Sequence, residues 1–506
     1  MHKKERKNDK LLSCRSFVYF LSSNDRKIIS LRGAFEKKGE KNVQENRWLE
    51  SRNSHSTTMR DASSHWLGSA RQLVGCFASC SLLLFCFASL LPKCALGDLH
   101  CHVNLTRDVG ETLVLRPNVT EYLYPRVQNP AAVELQNFRS EVRLVCPGGE
   151  ELTARGLPLG LGTAYLRCSG NDTFALAGQR LPVRFEEIGC TRASMPLARF
   201  RRVNCPPGMR CIQTGYQLNV FNFLPIMDVV YDPEAKTPIW SHAKIVAAVH
   251  SQQTNSGMFA YRPGPVLQND TFDLMDVYSA ENQRRVLMSM DPRIISVNDI
   301  ITNNELDTDY LVESPLISSH DLYYGTQQRS TYLQENLVPV WKSVHDGNWN
   351  YVASIVRKLA SDLSTDLDVW SGVIVSPHQQ PTPSAFGLPV QRDIYLGHDS
   401  RNRPVVPVPR LLFKYVYDRR GHRGLVFVVV NEPHRYSDRV LGPGYVVCRR
   451  QAVCENLYPD FVKPQMGYTY CCTIEDFMDT ARSLALPVHP GTASIGGFSN
   501  DIVRRS

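Results

Sequence analysis

Nine arginine and lysine side chains are concentrated between residues 401 and 439 of the 506-residue chain. Guanidinium and ammonium groups at such a density suit contact with a phosphate backbone, whose charge supplies much of the affinity of proteins for nucleic acid. We expect Arg410, Lys414 and Arg419 to meet this polyanion. The alternative is an ordinary solvated face, which charge runs often form. The nine residues are Arg401, Arg403, Arg410, Lys414, Arg419, Arg420, Arg423, Arg435 and Arg439.

Ten cysteines follow residue 97, an even number without the spacing of a zinc site. Such a set is typical of disulfides formed in an oxidising compartment. We expect a local cluster near the carboxyl end to be closed as disulfides; its members are Cys448, Cys454, Cys471 and Cys472. The adjacent pair leaves a redox role as the alternative.

Four Asn-x-Thr sequons lie before residue 280, at Asn104, Asn118, Asn171 and Asn269. This motif is the acceptor of N-linked glycans in exported proteins. The sequence therefore predicts a glycosylated surface.

An uncharged apolar stretch covers residues 74–91, with Arg71 before it. A basic flank, an apolar core and a small residue after it describe a secretory signal peptide. Because a signal peptide begins a chain, we hypothesise a start at Met59, a signal over residues 59–97, and a spurious or disordered extension over residues 1–58. The alternative is a signal-anchor helix, since about 18 apolar residues approach the length of a membrane span. The net charge of +8 says little about partners, because many basic residues fall in the extension.

The cysteine content and the apolar pattern of the exported chain change near residue 211. Residues 98–211 hold six of the ten cysteines, and their short apolar runs predict a small disulfide-stapled β-rich domain with a packing or spacer role. Residues 212–490 contain longer apolar runs and clear helical patterns, and residues 491–506 form a tail. The short apolar runs lie at 113–115, 142–145 and 165–166.

The second domain mixes strands and helices. Residues 349–363 predict its clearest helix, because apolar side chains recur there at helical spacing. Residues 369–375 and the run LVFVVV at 425–430 predict strands, the second buried on both faces. Thr473, with Asp476 three positions later, predicts the cap of a last helix. Strands interleaved with helices, without a regular βαβ rhythm, predict an α+β domain.

Six segments of this domain carry a family resemblance through their order and spacing. They are residues 324–332 (YGTQQRSTY), 335–339 (ENLVP), 346–349 (DGNW), 406–418 (VPVPRLLFKYVYD), 430–434 (VNEPH) and 467–472 (GYTYCC). On these segments the domain resembles the DNA/RNA non-specific endonuclease family, in particular its secreted arthropod branch related to double-stranded RNA nucleases. The resemblance implies a ββα-metal fold with a central antiparallel sheet, preceded here by the small β-rich domain.

The resemblance also implies a chemistry. In such nucleases one hydrated Mg²⁺ neutralises the scissile phosphate, and a histidine activates the attacking water. An asparagine amide oxygen is the central protein ligand of the metal, and Asn336 matches it. Arg357 matches an arginine on the following helix, and Asp321 matches an acidic residue shortly after the base position.

Three further positions depart from the family pattern. Pro315 stands where the family has its catalytic histidine, and Glu313 stands where an arginine meets a phosphate. Ala353 stands where a glutamate organises the water shell of the metal, and Val340 replaces a glutamine. A lost general base alone costs roughly 10²- to 10⁴-fold in rate, and a carboxylate in place of a cation adds repulsion.

Two histidines lie near the altered base position. His320 is five residues beyond Pro315, and His345 lies still farther along the chain. Either displacement exceeds the few ångströms that a general base tolerates. We expect both to be surface or turn residues.

We therefore predict a secreted, glycosylated and catalytically impaired member of this family. It keeps at most a weakened Mg²⁺ site and binds extracellular DNA or RNA without sequence specificity. Two alternatives stay open: an active nuclease with a substitute base, and an interaction protein that no longer binds nucleic acid.

Overall fold

Antiparallel strands are the most frequent regular elements of the described chain. The structure is a computed structural model that describes residues 100–129, 132–136, 141–176, 182–201, 205–254, 257, 259–268, 270, 272–290, 309–375, 393–433, 445–448, 454 and 457–487. The predicted signal segment and its extension, Asn269, Arg435, Arg439 and the predicted tail lie outside these residues. Within them, no helix combines the length and apolar character that crossing a membrane requires.

The first ten strands form three small antiparallel sheets. They are β1 His100–Asn104, β2 Leu113–Leu115, β3 Ala132–Gln136, β4 Glu141–Val145, β5 Leu152–Ala154, β6 Leu157–Pro158, β7 Thr163–Gly170, β8 Thr173–Leu176, β9 Val183–Arg184 and β10 Ile188–Cys190. The sheet orders are β2-β4-β7-β8-β9, β10-β5-β6 and β1-β3. Disulfides Cys101–Cys168 and Cys146–Cys190 tie β1 to β7 and the end of β4 to β10.

Twelve further strands follow, and eight of them form one sheet. They are β11 Leu197–Phe200, β12 Arg210–Gln217, β13 Phe223–Asp232, β14 Thr237–Ile245, β15 Leu311–Pro315, β16 Leu337–Trp341, β17 Leu367–Ile374, β18 Tyr395–His398, β19 Pro404–Pro407, β20 Leu411–Asp418, β21 Arg423–Val430 and β22 Thr469–Cys472. The large antiparallel sheet has the order β11-β12-β13-β14-β17-β20-β21-β22, while β15 pairs with β16 and β18 with β19.

Five α-helices accompany these strands: α1 Ala280–Met290, α2 Gly325–Gln328, α3 Lys342–Val344, α4 Asn350–Asp362 and α5 Ile474–Thr480. Helix α4 buries Val352, Val356 and Leu359, as the helical spacing predicted. The Asp476 amide donates to the Thr473 hydroxyl at 3.0 Å. This bond caps the start of α5, where the sequence predicted a helix.

The turn before α4 is fixed by a close backbone approach. A Cβ at Gly347 would lie 2.8 Å from the backbone oxygen of Met466, so only glycine fits there. The neighbouring Asn348 amide donates to the carbonyls of Asp460 (2.9 Å) and Gly467 (2.6 Å). These contacts explain why the DGNW segment precedes the helix.

The large sheet separates two apolar cores. All eight residues of β20 are buried, as are seven of the eight in β21. Burial on both faces accounts for the unbroken apolar run of β21. On one face the sheet shares a core with β15, β16, α4 and the amino-terminal strands. On the opposite face a second core includes Phe413, Tyr470 and Phe477. The predicted α+β class with a central antiparallel sheet is confirmed.

The segment between β2 and β3 packs on the loop that follows β15. Tyr122 stacks on Tyr324, with ring centroids 5.1 Å apart, and the Gln327 amide donates to the Tyr124 hydroxyl at 2.7 Å. The described residues all belong to one compact unit. β11 is already part of the large sheet, and the predicted division at 211 falls within β12. The contacts of Tyr122 and Tyr124 with the loop that leads to the candidate site are consistent with a packing role, which stays a prediction.

Candidate functional site

A strand–strand–helix unit brings the predicted site residues together. β15 and β16 pair antiparallel, with Glu313 opposite Pro339 and Pro315 opposite Leu337. Helix α4 follows β16 after the short α3 and the kink at Gly347. This is the ββα order that the resemblance implied.

The predicted base position holds a residue whose side chain cannot accept a proton. Pro315 ends β15 and is half-buried, and its ring nitrogen has no lone pair available for proton transfer. Glu313 lies two residues earlier, also half-buried. Burial and then the Glu313 charge raise the pKa of Tyr278 well above its usual value. The Glu313 carboxylate therefore places negative charge where the resemblance called for a cation.

Asn336 is occupied by backbone contacts. Its amide nitrogen donates to the carbonyls of Ile317 (2.9 Å) and Thr331 (3.1 Å). Its amide oxygen accepts the Ile317 N–H at 3.2 Å, and the residue has no exposed surface. Asn336 thus closes the 316–336 connection between β15 and β16.

Arg357 and Asp321 form a buried ion pair. The Arg357 guanidinium donates to the Asp321 carboxylate at 2.7 Å, with side-chain exposures of 17% and 1%. The other Asp321 oxygen accepts the Ser318 N–H at 3.1 Å. The pair ties α4 to the short turn that follows β15. Ala353, one turn earlier on α4, is buried.

Lys414 lies beneath this pair in the interior. Its ammonium donates to the Leu316 carbonyl and the Ser371 hydroxyl, both at 3.1 Å, and lies 4.6 Å from the centre of the Trp349 ring. Burial lowers the pKa of Lys414 to about 8, against the attraction of Asp321. With 2% of its surface exposed, Lys414 anchors the end of β15 and does not belong to a nucleic-acid-binding surface.

These groups do not fit a Mg²⁺ ion. Magnesium requires oxygen ligands in octahedral array and retains several waters, whereas the Asn336 oxygen is enclosed and has a backbone donor. The Lys414 ammonium donates to the Leu316 carbonyl close by. Across the described ranges, no three His, Cys, Asp or Glu side chains are grouped as metal ligands.

The two nearby histidines lie off the strand. His320 is exposed in the turn after β15, with its Nδ1 3.3 Å from the Ser318 hydroxyl. His345 is paired with Asp346, at 2.9 Å between Nδ1 and the carboxylate. Neither occupies the position of Pro315.

The basic run between residues 401 and 439 is largely paired with carboxylates where the structure describes it. Arg410 donates to Asp393 at 2.9 Å, and Arg419 pairs with Asp368 while its own side chain is 63% exposed. The other pairs are Arg403–Asp399 and Arg423–Asp418. Arg401 and Arg420 are exposed. Contact with a polyanion through Arg410 or Arg419 stays a prediction.

The sequons and cysteines occupy ordinary positions for an exported protein. Asn118 and Asn171 are exposed, and Asn104 is half-buried. The glycosylation of these residues stays a prediction. The carboxyl-terminal cysteines are joined as Cys448–Cys472 and Cys454–Cys471. Together with Cys205–Cys211, they complete a set of disulfides that is consistent with an oxidising compartment.

Sequence reasoning missed a charged cluster on the opposite face of the sheet. The His242 Nε2 lies 3.1 Å from Asp368, and its Nδ1 lies 3.9 Å from Asp228. Its ring stacks on Trp370 at 4.5 Å. Burial opposes protonation, but the bonds to both carboxylates outweigh it and raise the pKa of His242. The three residues lie on different strands, so no local motif pointed to them.

Comparison with known proteins agrees with this architecture. Residues 209–477 match the model of the family described as DNA/RNA non-specific endonuclease, which confirms the resemblance. The chain is 22% identical to salivary protein Tsal2A of Glossina morsitans morsitans, over 69% of this chain and 82% of that protein. It is 28% identical to a salivary endonuclease of Lutzomyia longipalpis, over 33% of this chain and 38% of that one. The solved EndoG/EndoGI complex aligns over 41% of this chain and 71% of its own, with a TM-score of 0.28 and 14% identity.

Proposed function

Because this chain belongs to the DNA/RNA non-specific endonuclease family, we propose that it is a secreted protein that binds nucleic acid with little or no Mg²⁺-dependent cleavage. The family typically uses a metal, and its members act on phosphodiesters. Here the binding scaffold is retained while the groups that activate water are replaced.

One observation supports the proposed loss of activity: Pro315, at the predicted base position, ends β15 and pairs in register with Leu337. His320, the nearest histidine in the sequence, lies beyond the strand in the next turn. Losing a general base costs roughly 10²- to 10⁴-fold in rate. The Glu313 carboxylate would repel a phosphate, and the enclosed Asn336 oxygen would bind a metal poorly. Such losses of rate do not simply sum.

Binding is supported by the charge balance around α4. Two cations, Arg357 and Lys414, share the single carboxylate of Asp321. An anion at the partly exposed Arg357 would compensate this excess of positive charge. The exposed Arg401 and Arg420 add cationic surface elsewhere. A phosphate backbone is a ligand of the required charge.

The salivary relatives and the disulfides support secretion. Two matched relatives are named as salivary proteins, and five disulfides join all ten cysteines after residue 97. Extracellular DNA or RNA is then the accessible substrate class.

The test compares the secreted protein with the double variant Glu313→Arg, Pro315→His. Degradation of double-stranded RNA and DNA is measured with Mg²⁺ and with EDTA, and binding is measured separately at several salt concentrations. We expect no Mg²⁺-dependent degradation by the natural protein. The logarithm of its binding constant should fall linearly with the logarithm of the salt concentration. Partial cleavage by the double variant would show that the remaining site is usable.

Two results would contradict the proposal. Cleavage by the natural protein at the rate of an ordinary nuclease would mean that another residue supplies the base; a pH–rate profile and His320→Ala would then test His320. Absence of binding even at low salt would favour an interaction protein that has lost nucleic acid as a partner.

A further inference from the structure

A small cavity opens beside the turn that follows β15. Its volume is about 260 Å³, below the range of about 300 to 1,000 Å³ that drug-sized ligands occupy. It therefore suits a single planar ring with room for solvent. Its wall includes Gln252, Thr254, Ser319, His320, Gln328 and Tyr332.

The wall has the chemistry that recognises a nucleobase. Amide and hydroxyl groups hydrogen-bond to base edges, and aromatic rings stack on base faces. Tyr332 supplies a half-buried ring, supported by Phe259 at 5.7 Å and Tyr261 at 5.4 Å between centroids. Ser319 and Thr254 supply hydroxyls, and none of the wall residues given above is a carboxylate that would repel a nucleotide.

This wall is held in place before any ligand binds. The Gln328 amide donates to the carbonyls of Gln253 (2.8 Å) and Leu322 (3.0 Å). With its amide nitrogen facing the carbonyls of His320 and Leu322, the Gln252 side chain donates to them at 2.7 Å and 3.0 Å. A fixed wall lowers the entropic cost of ordering groups around a bound ring.

The cavity is connected to the candidate site through the short turn after β15. His320 lines the cavity, and the next residue, Asp321, binds Arg357. A nucleotide with its phosphate near Arg357 would thus have a receptor for a base on the same turn. Bases stacked inside a duplex cannot enter such a receptor, whereas unpaired bases can.

We propose that this cavity is a nucleobase subsite that receives one unstacked base of a single-stranded or locally opened nucleic acid. The inference rests on the proposed nucleic-acid binding and specifies which part of the ligand, beyond phosphate, the protein contacts. The base contributes affinity without sequence specificity, because every base offers a face for stacking.

The experiment measures fluorescence anisotropy of two labelled oligonucleotides of equal length, oligothymidylate and a fully abasic strand. The two share their phosphates and differ only in the bases. We expect the abasic strand to bind the natural protein about tenfold more weakly. Ser319→Phe, which fills the cavity, should reduce the affinity for oligothymidylate to that for the abasic strand and leave abasic binding unchanged.

Controls separate the possible causes. Ser289→Phe places the same bulk at an exposed serine beside a different cavity, on α1, and should alter neither affinity. Competition by free thymidine against oligothymidylate, in the natural protein, gives a readout that does not depend on a variant folding.

Each failure has its own signature. Equal affinity for the two strands, or a difference that survives Ser319→Phe in a folded variant, would overturn the base subsite alone. No binding of either strand to the natural protein at low salt would overturn the proposed function instead.

Discussion

The pKa values of two cations on opposite faces of the same sheet are shifted in opposite directions. Lys414 on β20 has a pKa lowered to about 8, whereas His242 on β14 has a raised pKa. Burial opposes the charge of both, although the His242 side chain keeps 21% of its surface exposed, so burial alone does not explain the difference. The partners do: His242 contacts the carboxylates of Asp228 and Asp368, while Lys414 donates to two neutral oxygens.

The carboxylate that attracts the Lys414 ammonium already forms an ion pair with another residue. Asp321 is paired with Arg357 at 2.7 Å, and Arg357 also repels the ammonium. The inner cluster therefore carries excess positive charge, which suits a ligand of negative charge. The outer cluster satisfies its charges internally: Asp368 pairs with Arg419 and His242, whose hydrogen bonds outweigh burial and lower its pKa to about 2.

The largest effect is expected from Asp321→Asn. This change leaves Arg357 and Lys414 without an anion in the interior, and breaking a buried pair typically costs about 3 kcal/mol of unfolding free energy. Urea unfolding at pH 7 measures it. Asp479→Asn, which breaks an exposed pair with Arg482, should cost well under about 1 kcal/mol. Equal losses in the two variants would show that the inner pair is not special.

The next effect is the pH dependence contributed by Lys414. Its folded pKa lies below the value of 10.5 for an unperturbed lysine, so between pH 8 and 10.5 the unfolded chain holds a proton that the folded one has released. Raising the pH in this window therefore stabilises the fold, by up to about 3 kcal/mol. Thermal unfolding of the natural protein and Lys414→Met at pH 7 and 9.5 should show a gap that widens in favour of the natural protein.

The matched control for Lys414 is Lys358→Met, at an exposed lysine on α4 that pairs with Asp362. Its pH profile should parallel that of the natural protein. A parallel profile for Lys414→Met as well would mean that the Lys414 pKa is not depressed.

His242 should give the opposite slope and a smaller effect. A raised folded pKa stabilises fully below the unfolded pKa of about 6.5, and this contribution is lost as the pH rises through the folded pKa. We expect His242→Gln to cost about 1–2 kcal/mol at pH 5.5 and progressively less at higher pH. Chemical denaturation at both ends of the range checks this, with the exposed His398→Gln as control. A cost that does not change with pH would contradict a charged His242.

The smallest effect belongs to Arg419 at the rim of the outer cluster. Its side chain is 63% exposed beside the buried Asp368, so water screens the pair. We expect Arg419→Gln to lower the unfolding free energy by less than about 1 kcal/mol, and by less still in high salt. A larger loss of unfolding free energy that does not change with salt would show that Arg419 contributes to stability as a buried partner of Asp368.

Local patterns were enough to predict several elements. Helical spacing over 349–363 predicted α4, and the run at 425–430 lies in β21, buried on both sides. The order of six short segments predicted the ββα unit, which the structure contains. These inferences succeed because each depends on neighbouring residues or on chain order. The assignment of Glu313, Pro315 and Ala353 to altered site positions stays a prediction.

The roles of single polar residues were harder to predict. Lys414 was expected at a surface, although it lies within a strand whose eight residues are all buried; the apolar run around it was the available signal. Asn336 was expected to bind a metal, and the tertiary structure places it among the carbonyls of Ile317 and Thr331. The cavity proposed as a nucleobase subsite could not be predicted from the sequence, because its wall comes from segments far apart in the chain.

The sequence by itself determined the family and the α+β class with its central antiparallel sheet. These depend on residue identity and order, which sequence displays directly. Only the tertiary structure decided which carboxylate each cation meets, that the segment between β2 and β3 contacts the loop after β15, and that a cavity opens beside His320. Pairing and burial are set by contacts between distant segments, and the pKa of each buried cation follows from those contacts.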